Sequence, residues 1–321
     1  MDWKSYYDEE LREAKTRDKI KHWLRDAEEM AATSGTYDPR TVRSFPHTAI
    51  DYSGLLQARV VSWLYRNGFK RVIALGVMHG SLIPTFQIAA NELRSQEERL
   101  DAFSQISGAF LPTTDQLDTP FGVLAVNSEG VDLPTEIRLD RANLLKNEFS
   151  LDTFHAILRL AAGVYAVEPL PVIPIYIGMT RNPVTGALDT ANALADWLLG
   201  QWDEETAIVT TGDVVHYGTA YGSDDGDALS KDLGAHFRHR FEVFLDIAFR
   251  ERQIETAFQM SQCELKSDQR EILPLLVRLL GEGAGTDIEA FDLSDYATIL
   301  KTRPPCLVAS ALIAYKRVGM E

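Results

Sequence analysis

Apolar residues recur along this chain in two periods. Near-continuous apolar runs at Val72–Gly76, Phe121–Val126, Pro171–Gly178 and Ala207–Gly212 predict strands buried on both faces, as in a parallel sheet. Helical stripes lie between them. Leu56, Val60 and Leu64 recur at four-residue spacing, with Gly68 following as a C-terminal cap. Leu151, Phe154, Leu158 and Ala161 form a second stripe, and Ala193, Leu194, Trp197 and Leu198 a third that ends at Gly200. Residues 229–258 predict one long helix or two, and 270–281 one more. Two late strands are expected near 295–301 and 306–315. Upstream, residues 7–32 predict a charged amphipathic surface helix, and Thr33 to Arg43, with Gly35 and Pro39, reads as a connector. The β-α alternation predicts an α/β sandwich with a mainly parallel sheet. No internal repeat or long linker divides the chain. Residues 1–35 therefore read as a helical extension packed on a single domain spanning 36–321.

Composition narrows the function classes. The formal net charge of -15, from 47 acidic and 32 basic residues, opposes nucleic-acid binding, which needs clustered Lys and Arg. The same excess disfavours anionic membrane surfaces. No segment approaches the roughly 20 apolar residues of a membrane span, and the charged N-terminus has no signal-peptide core. Cys263 and Cys306 are the two cysteines, too few for a disulfide framework. The expectation is a cytoplasmic protein in a reducing compartment.

In open parallel sheets, ligands bind beyond the carboxyl ends of the strands. Three of the seven histidines fall at such exits: His47 after Val42–Pro46, His79 after Val72–Met78 and His216 after Ala207–Val215. His22, His155, His236 and His239 lie within helical patterns. Imidazole suits iron, copper, zinc and nickel, and two histidines with one anionic ligand leave open positions for water, dioxygen or substrate. Asp213 and His216, three residues apart, could pair, the carboxylate orienting an imidazole that acts as acid or base. Equally, Asp213 could cap the next helix. Cys263 sits just before a helix predicted near Gln269, where a thiolate gains stability. On the residues alone it reads first as a semi-buried inert thiol, and Glu264 beside it is a rival anionic ligand. Cys306, inside an apolar run, reads as structural. No phosphate loop, dinucleotide fingerprint or nucleophile elbow is present.

The ordered segments resemble one family. Pro46-His47 with Tyr52-Ser53-Gly54, Leu75 to His79, Thr119 to Gly122, Glu148 to Leu151, Ile173 to Ile175 with Gly178, and Thr211 to Gly218 occur in the order found in Memo-like proteins. Those proteins are related in fold to the class III extradiol (LigB-type) dioxygenases. The match covers roughly residues 40–318. The resemblance implies a three-layer LigB/Memo-like sandwich in which His47, His79 and Cys263 bind a metal ion and His216 lines the same cleft. In the related dioxygenases a carboxylate replaces the cysteine, the metal is Fe(II), and the matching histidine is the acid-base catalyst. The chain departs from the family pattern at Ala49, Ile50, Gly80, Phe149 and Glu264, so the shell around the ligands has changed.

The leading expectation is a non-haem, dioxygenase-like oxidoreductase. His47, His79 and Cys263 would hold Fe(II), with copper or zinc as alternatives. His216, with Asp213, would move protons, and Tyr52, Tyr217 and Tyr221 would bind a small-molecule substrate. The rival expectations are a scaffold that takes a peptide in the same cleft, and a metallohydrolase with a bound hydroxide.

Overall fold

The computed structural model describes residues 1–31, 40–79, 95–127, 132–223 and 232–317. The expected departure from the family pattern at Gly80 lies outside them. The described chain begins with α1 (Trp3–Arg12), α2 (Ala14–Ala31), β1 (Thr41–Phe45), α3 (Ile50–Arg66) and β2 (Arg71–Val77). It continues through α4 (Gln96–Ile106), β3 (Ala109–Leu111), β4 (Gln116–Thr119), β5 (Gly122–Ala125), β6 (Ile137–Leu139), α5 (Asp152–Tyr165) and β7 (Val172–Ile177). Next come α6 (Asp189–Gln201), β8 (Thr206–Thr211), β9 (Val215–Gly218), α7 (Leu233–Leu245) and α8 (Ile254–Met260). The last elements are α9 (Leu273–Leu280), β10 (Gly285–Asp295), α10 (Ala297–Leu300) and β11 (Cys306–Lys316).

The main sheet runs in the order β10-β11-β1-β8-β2-β7-β3-β6, with β9 also pairing with β11. Its centre, β1-β8-β2-β7, is parallel throughout, and those strands are buried almost without interruption. Antiparallel pairs flank it on both sides: β3 with β7, and β11 with β1, β9 and β10. The sheet is therefore mixed, with a parallel centre. β1 and β9 occupy successive stretches of β11, Ser44 opposite Ile313 and Val215 opposite Ala309. The exit of β1 is thereby brought beside β9.

Apolar faces pack on both sides of the sheet, giving three layers. One side collects residues of α2, α3 and α5, including Leu24, Val60, Leu64, Phe154 and Leu158. The other collects α6, α7, α8 and α9, including Leu194, Phe241, Ala257 and Leu276. The region expected to be one surface helix over 7–32 is two helices, broken at Glu13. Its apolar stripe is buried: Tyr7, Leu11, Ile20, Leu24 and Ala27 are covered, and each large member contributes about 2 kcal/mol by leaving water. Among the described residues no helix is long and apolar enough to cross a membrane.

Two other expectations need correction. The run Phe121–Val126 contributes β5, which pairs with β4 in a separate two-stranded ribbon. The strand expected at 295–301 lies earlier, at β10, while 297–300 is the short helix α10. β10 is an edge strand with exposed acidic positions at Asp287 and Asp292, so its sequence looks like a polar loop.

Candidate metal centre

Three strand exits converge at the carboxyl end of the parallel strands. His47 follows β1, His79 follows β2, and Asp213 follows β8; His216 sits in β9. The rings of His47 and His79 are 5.1 Å apart. His47 Nε2 lies 3.9 Å from Asp213 Oδ2, and His216 Nε2 lies 4.0 Å from the same oxygen. The structure thus brings together four of the expected residues: His47, His79, Asp213 and His216.

The structure does not bring Cys263, the expected anionic ligand, to this cluster. Cys263 lies on an outward turn, Ser261–Leu265, whose ends are buried while Gln262, Cys263 and Glu264 face solvent. Its Sγ reaches only Gln259 Oε1, at 4.0 Å, and Glu264 pairs with Arg240. Among the described residues, neither belongs to a cluster able to hold a metal. Asp268 does instead: its Oδ2 is 3.4 Å from His47 Nε2 and 3.8 Å from His216 Nε2. Among the described residues, the ligand atoms of His47, His79 and Asp268 lie within 4.8 Å of one another, and so do those of Asp213, His216 and Asp268.

Local chemistry brings Asp268 here. A short helical turn, Asp268–Arg270, starts at Ser267, whose side chain accepts from Gln269 N. The carbonyl of Asp213 then receives two donors, Ser267 Oγ and Asp268 N, both at 3.0 Å. Gln269 donates to Ser44 Oγ at 2.6 Å and accepts from the Tyr315 hydroxyl at 3.1 Å. Gly212 makes the approach feasible, because a Cβ there would meet Gln269 Cγ at 2.6 Å, and its φ of +155° is unusual for other residues.

Each of the three rings has a hydrogen-bond partner at Nδ1. His79 Nδ1 faces Glu148 Oε1 at 3.0 Å, and the carboxylate accepts its proton. His216 Nδ1 donates to the Lys266 carbonyl at 2.8 Å. Thr211 Oγ1 donates to the Phe45 carbonyl, so at 3.2 Å it is left to accept from His47 Nδ1. With Nδ1 engaged on each ring, the Nε2 atoms of His47 and His216 face the carboxylates of Asp213 and Asp268 at 3.4–4.0 Å. Asp213 Oδ1 is buried with no hydrogen-bond partner. Such a set favours positive charge in its middle, which protons or a metal ion would supply. Asp213 therefore flanks Nε2 of His216; the Lys266 carbonyl, not Asp213, orients the ring.

Glu148 is a second residue that patterning alone does not single out. Its carboxylate also accepts from the backbone N–H groups of His79, Phe149 and Ser150, each at 2.8 Å. Burial opposes its charge, but His79 and these donors outweigh it and bring Glu148 to about 2. Burial likewise opposes charge on His79, yet Glu148 lifts that ring to about 9. Between the two acids the directions diverge. Burial pushes Asp213 up, which His47 only partly offsets and the charge of Asp268 reinforces. On Asp268, burial is overcome by His216 and by the hydrogen bond from His47, so its carboxyl is held well below the usual range.

Aromatic rings wall the cluster. Phe149 stacks on His79 at 4.4 Å, and Tyr221 lies 4.8 Å from His216. Tyr52 packs on Tyr296 at 4.9 Å, in the same apolar cluster as Phe149 and Tyr221. Tyr217 does not join them. Neighbouring strand residues point to opposite faces, and Tyr217 packs against Phe237 of α7 at 5.3 Å, on the other side of β9 from His216. A cavity of about 670 Å³ opens elsewhere, lined by Lys4, Asp152, His155 and Tyr176 among others, and none of the five donors borders it.

No family model matches the chain, and a search of curated proteins gives no match. Among solved structures, an uncharacterized protein from Escherichia coli K12 is similar over 85% of this chain and 99% of its own, at 12% identity and a TM-score of 0.44.

Proposed function

We propose that His47, His79 and Asp268 hold one divalent metal ion and that the chain is a non-haem, metal-dependent oxidoreductase acting on a small molecule. The observation that supports this reading is the closeness of the donors: the ligand atoms of His47, His79 and Asp268 lie within 4.8 Å of one another, with His47 Nε2 3.4 Å from Asp268 Oδ2. Two imidazoles with one carboxylate form the donor set that selects Fe(II) in oxygenases while leaving coordination positions open. The sequence resemblance attributes a carboxylate in this role to the dioxygenase branch and a cysteine to the Memo-like branch. Asp268 therefore favours Fe(II) over copper and a LigB-like relationship over a strictly Memo-like one.

When bound, the ion would supply redox chemistry and a meeting point for dioxygen and substrate. The remaining work falls to side chains. Glu148 holds the His79 ring by Nδ1 and keeps Nε2 available. His216, fixed by the Lys266 carbonyl, presents Nε2 as an acceptor for a substrate hydroxyl proton. Asp213, 4.0 Å from that nitrogen, stabilises the imidazolium that results. Phe149, Tyr221 and Tyr52 exclude water on the apolar side.

Metal content tests this reading. Protein reconstituted anaerobically with Fe(II) should retain the ion after desalting, and Cys263→Ser should not change the amount. His79→Ala and Asp268→Asn should each lose it. Wild-type iron content in His79→Ala refutes the site. Zinc retention without oxygen uptake on any small molecule tested would instead favour a hydrolase.

A further inference from the structure

The five donors group into two overlapping triads, and Asp213 Oδ2 also lies 3.9 Å from His47 Nε2 of the first. His47, His79 and Asp268 form the first, and Asp213, His216 and Asp268 the second, with Asp268 common to both. Donors on one ion, at bond lengths of about 2.0–2.2 Å, sit roughly 3–4 Å apart. The second triad has that spacing: His216 Nε2 lies 3.8 Å from Asp268 Oδ2 and 4.0 Å from Asp213 Oδ2. Its ring nitrogen is the free one, because Nδ1 donates to the Lys266 carbonyl. Asp213 is 3% exposed, and its second carboxylate oxygen has no hydrogen-bond partner. A buried carboxylate with an unfilled acceptor, beside an imidazole and a second carboxylate, is stabilised by a cation that enters between them.

We propose that Asp213, His216 and Asp268 form a second divalent-cation site, with Asp268 bridging it to the ion held by His47 and His79. The proposal rests on the first site being real. Carboxylate-bridged pairs of ions occur about 3.5–4 Å apart, which one shared Asp permits. The second ion takes the lone pair of His216 Nε2, the nitrogen that otherwise accepts a proton. Filling the second site therefore removes the acid-base group, and a metal in excess acts as an inhibitor. Asp213 thus has two duties: it steadies the charge of His216 when one ion is present, and it ligates when two are.

The test is a titration of metal-free protein with Co(II), followed by calorimetry and by the visible absorption of the bound ion. Two equivalents are expected for the wild type, the second weaker. One equivalent is expected for Asp213→Asn and for His216→Ala, each checked for native circular dichroism and an unchanged melting profile. Asp213→Asn keeps shape and removes only charge, so it serves if His216→Ala does not fold. One equivalent in all three proteins overturns the second site and leaves the first standing. Two equivalents in both variants place the second ion elsewhere and also overturn it. No binding in the wild type overturns both sites.

Discussion

His155 offers a test of the folded state that is independent of any activity. It lies on α5, 3% exposed, with Nε2 unpartnered. Burial, aided by the charge of Lys4, brings its pKa down from 6.5 to about 3. The sign follows from proton counting. Below about pH 6.5 the unfolded chain protonates this ring and the folded chain does not, so stability falls with pH until about pH 3. Between about pH 7 and about pH 4.5 the loss is about 2.5 kcal/mol. Asp152, one turn earlier, works in the opposite direction. Burial, opposed by Lys4, raises it from 3.8 to about 6, so protonation relieves a strained carboxylate as pH falls through 6 toward 3.8. That gain is at most about 2 kcal/mol over the same interval and less after solvent screening, since its side chain is 31% exposed. The wild type should therefore show a shallow acid limb that hides two opposed terms. His155→Leu removes one of them. Urea unfolding at both pH values should give a wild-type-minus-variant difference that changes by about 2.5 kcal/mol. Parallel pH dependence of the two proteins would refute the reasoning.

Further outcomes follow from the metal centre and its supports. Glu148→Gln should weaken Fe(II) or Zn(II) binding by about 10- to 100-fold, read by competition with a chelating dye, because the group that orients His79 is impaired; unchanged affinity would remove Glu148 from the site. Gly76→Ala should destabilise by about 1–3 kcal/mol in thermal or denaturant unfolding, since a Cβ there would meet Ser150 Oγ and Tyr176 Cδ1 at 2.9 Å. The same variant should weaken metal binding, because Ser150 Oγ is tied to the Val77 carbonyl beside Glu148; a Gly76→Ala protein of wild-type stability would show that the packing against β2 has slack.

Much of the centre was legible because it is built from strand exits. Continuous apolarity marked β2, β7 and β8 as central strands, and a parallel strand delivers whatever follows it to the ligand-binding edge. That logic found His47, His79, Asp213 and His216. It could not find Asp268, which reaches the site through an outward turn at Ser261–Leu265 and a short turn of helix. Neither has a hydrophobic period to read. Cys263 entered the expected ligand set through the family resemblance, yet that turn directs it to solvent. The usable signal was Ser267-Asp268, a capping residue followed by a carboxylate only five positions past the cysteine. Tyr217 failed for a simpler reason: adjacent to His216 in a strand, it must face the other way. β10 was misplaced because an edge strand can carry charges along its open side, and Asp287 and Asp292 hid its pairing with β11.

The carbonyl of Asp213, holding both Ser267 Oγ and Asp268 N, gives the centre a clock. The peptide that carries one acid is latched to the peptide that carries the other, so the two cannot separate without releasing the Asp268 amide. Deuterium uptake at that single amide therefore times the opening of the centre. An ion gripping both side chains should slow that uptake, even when nothing else in the fold moves.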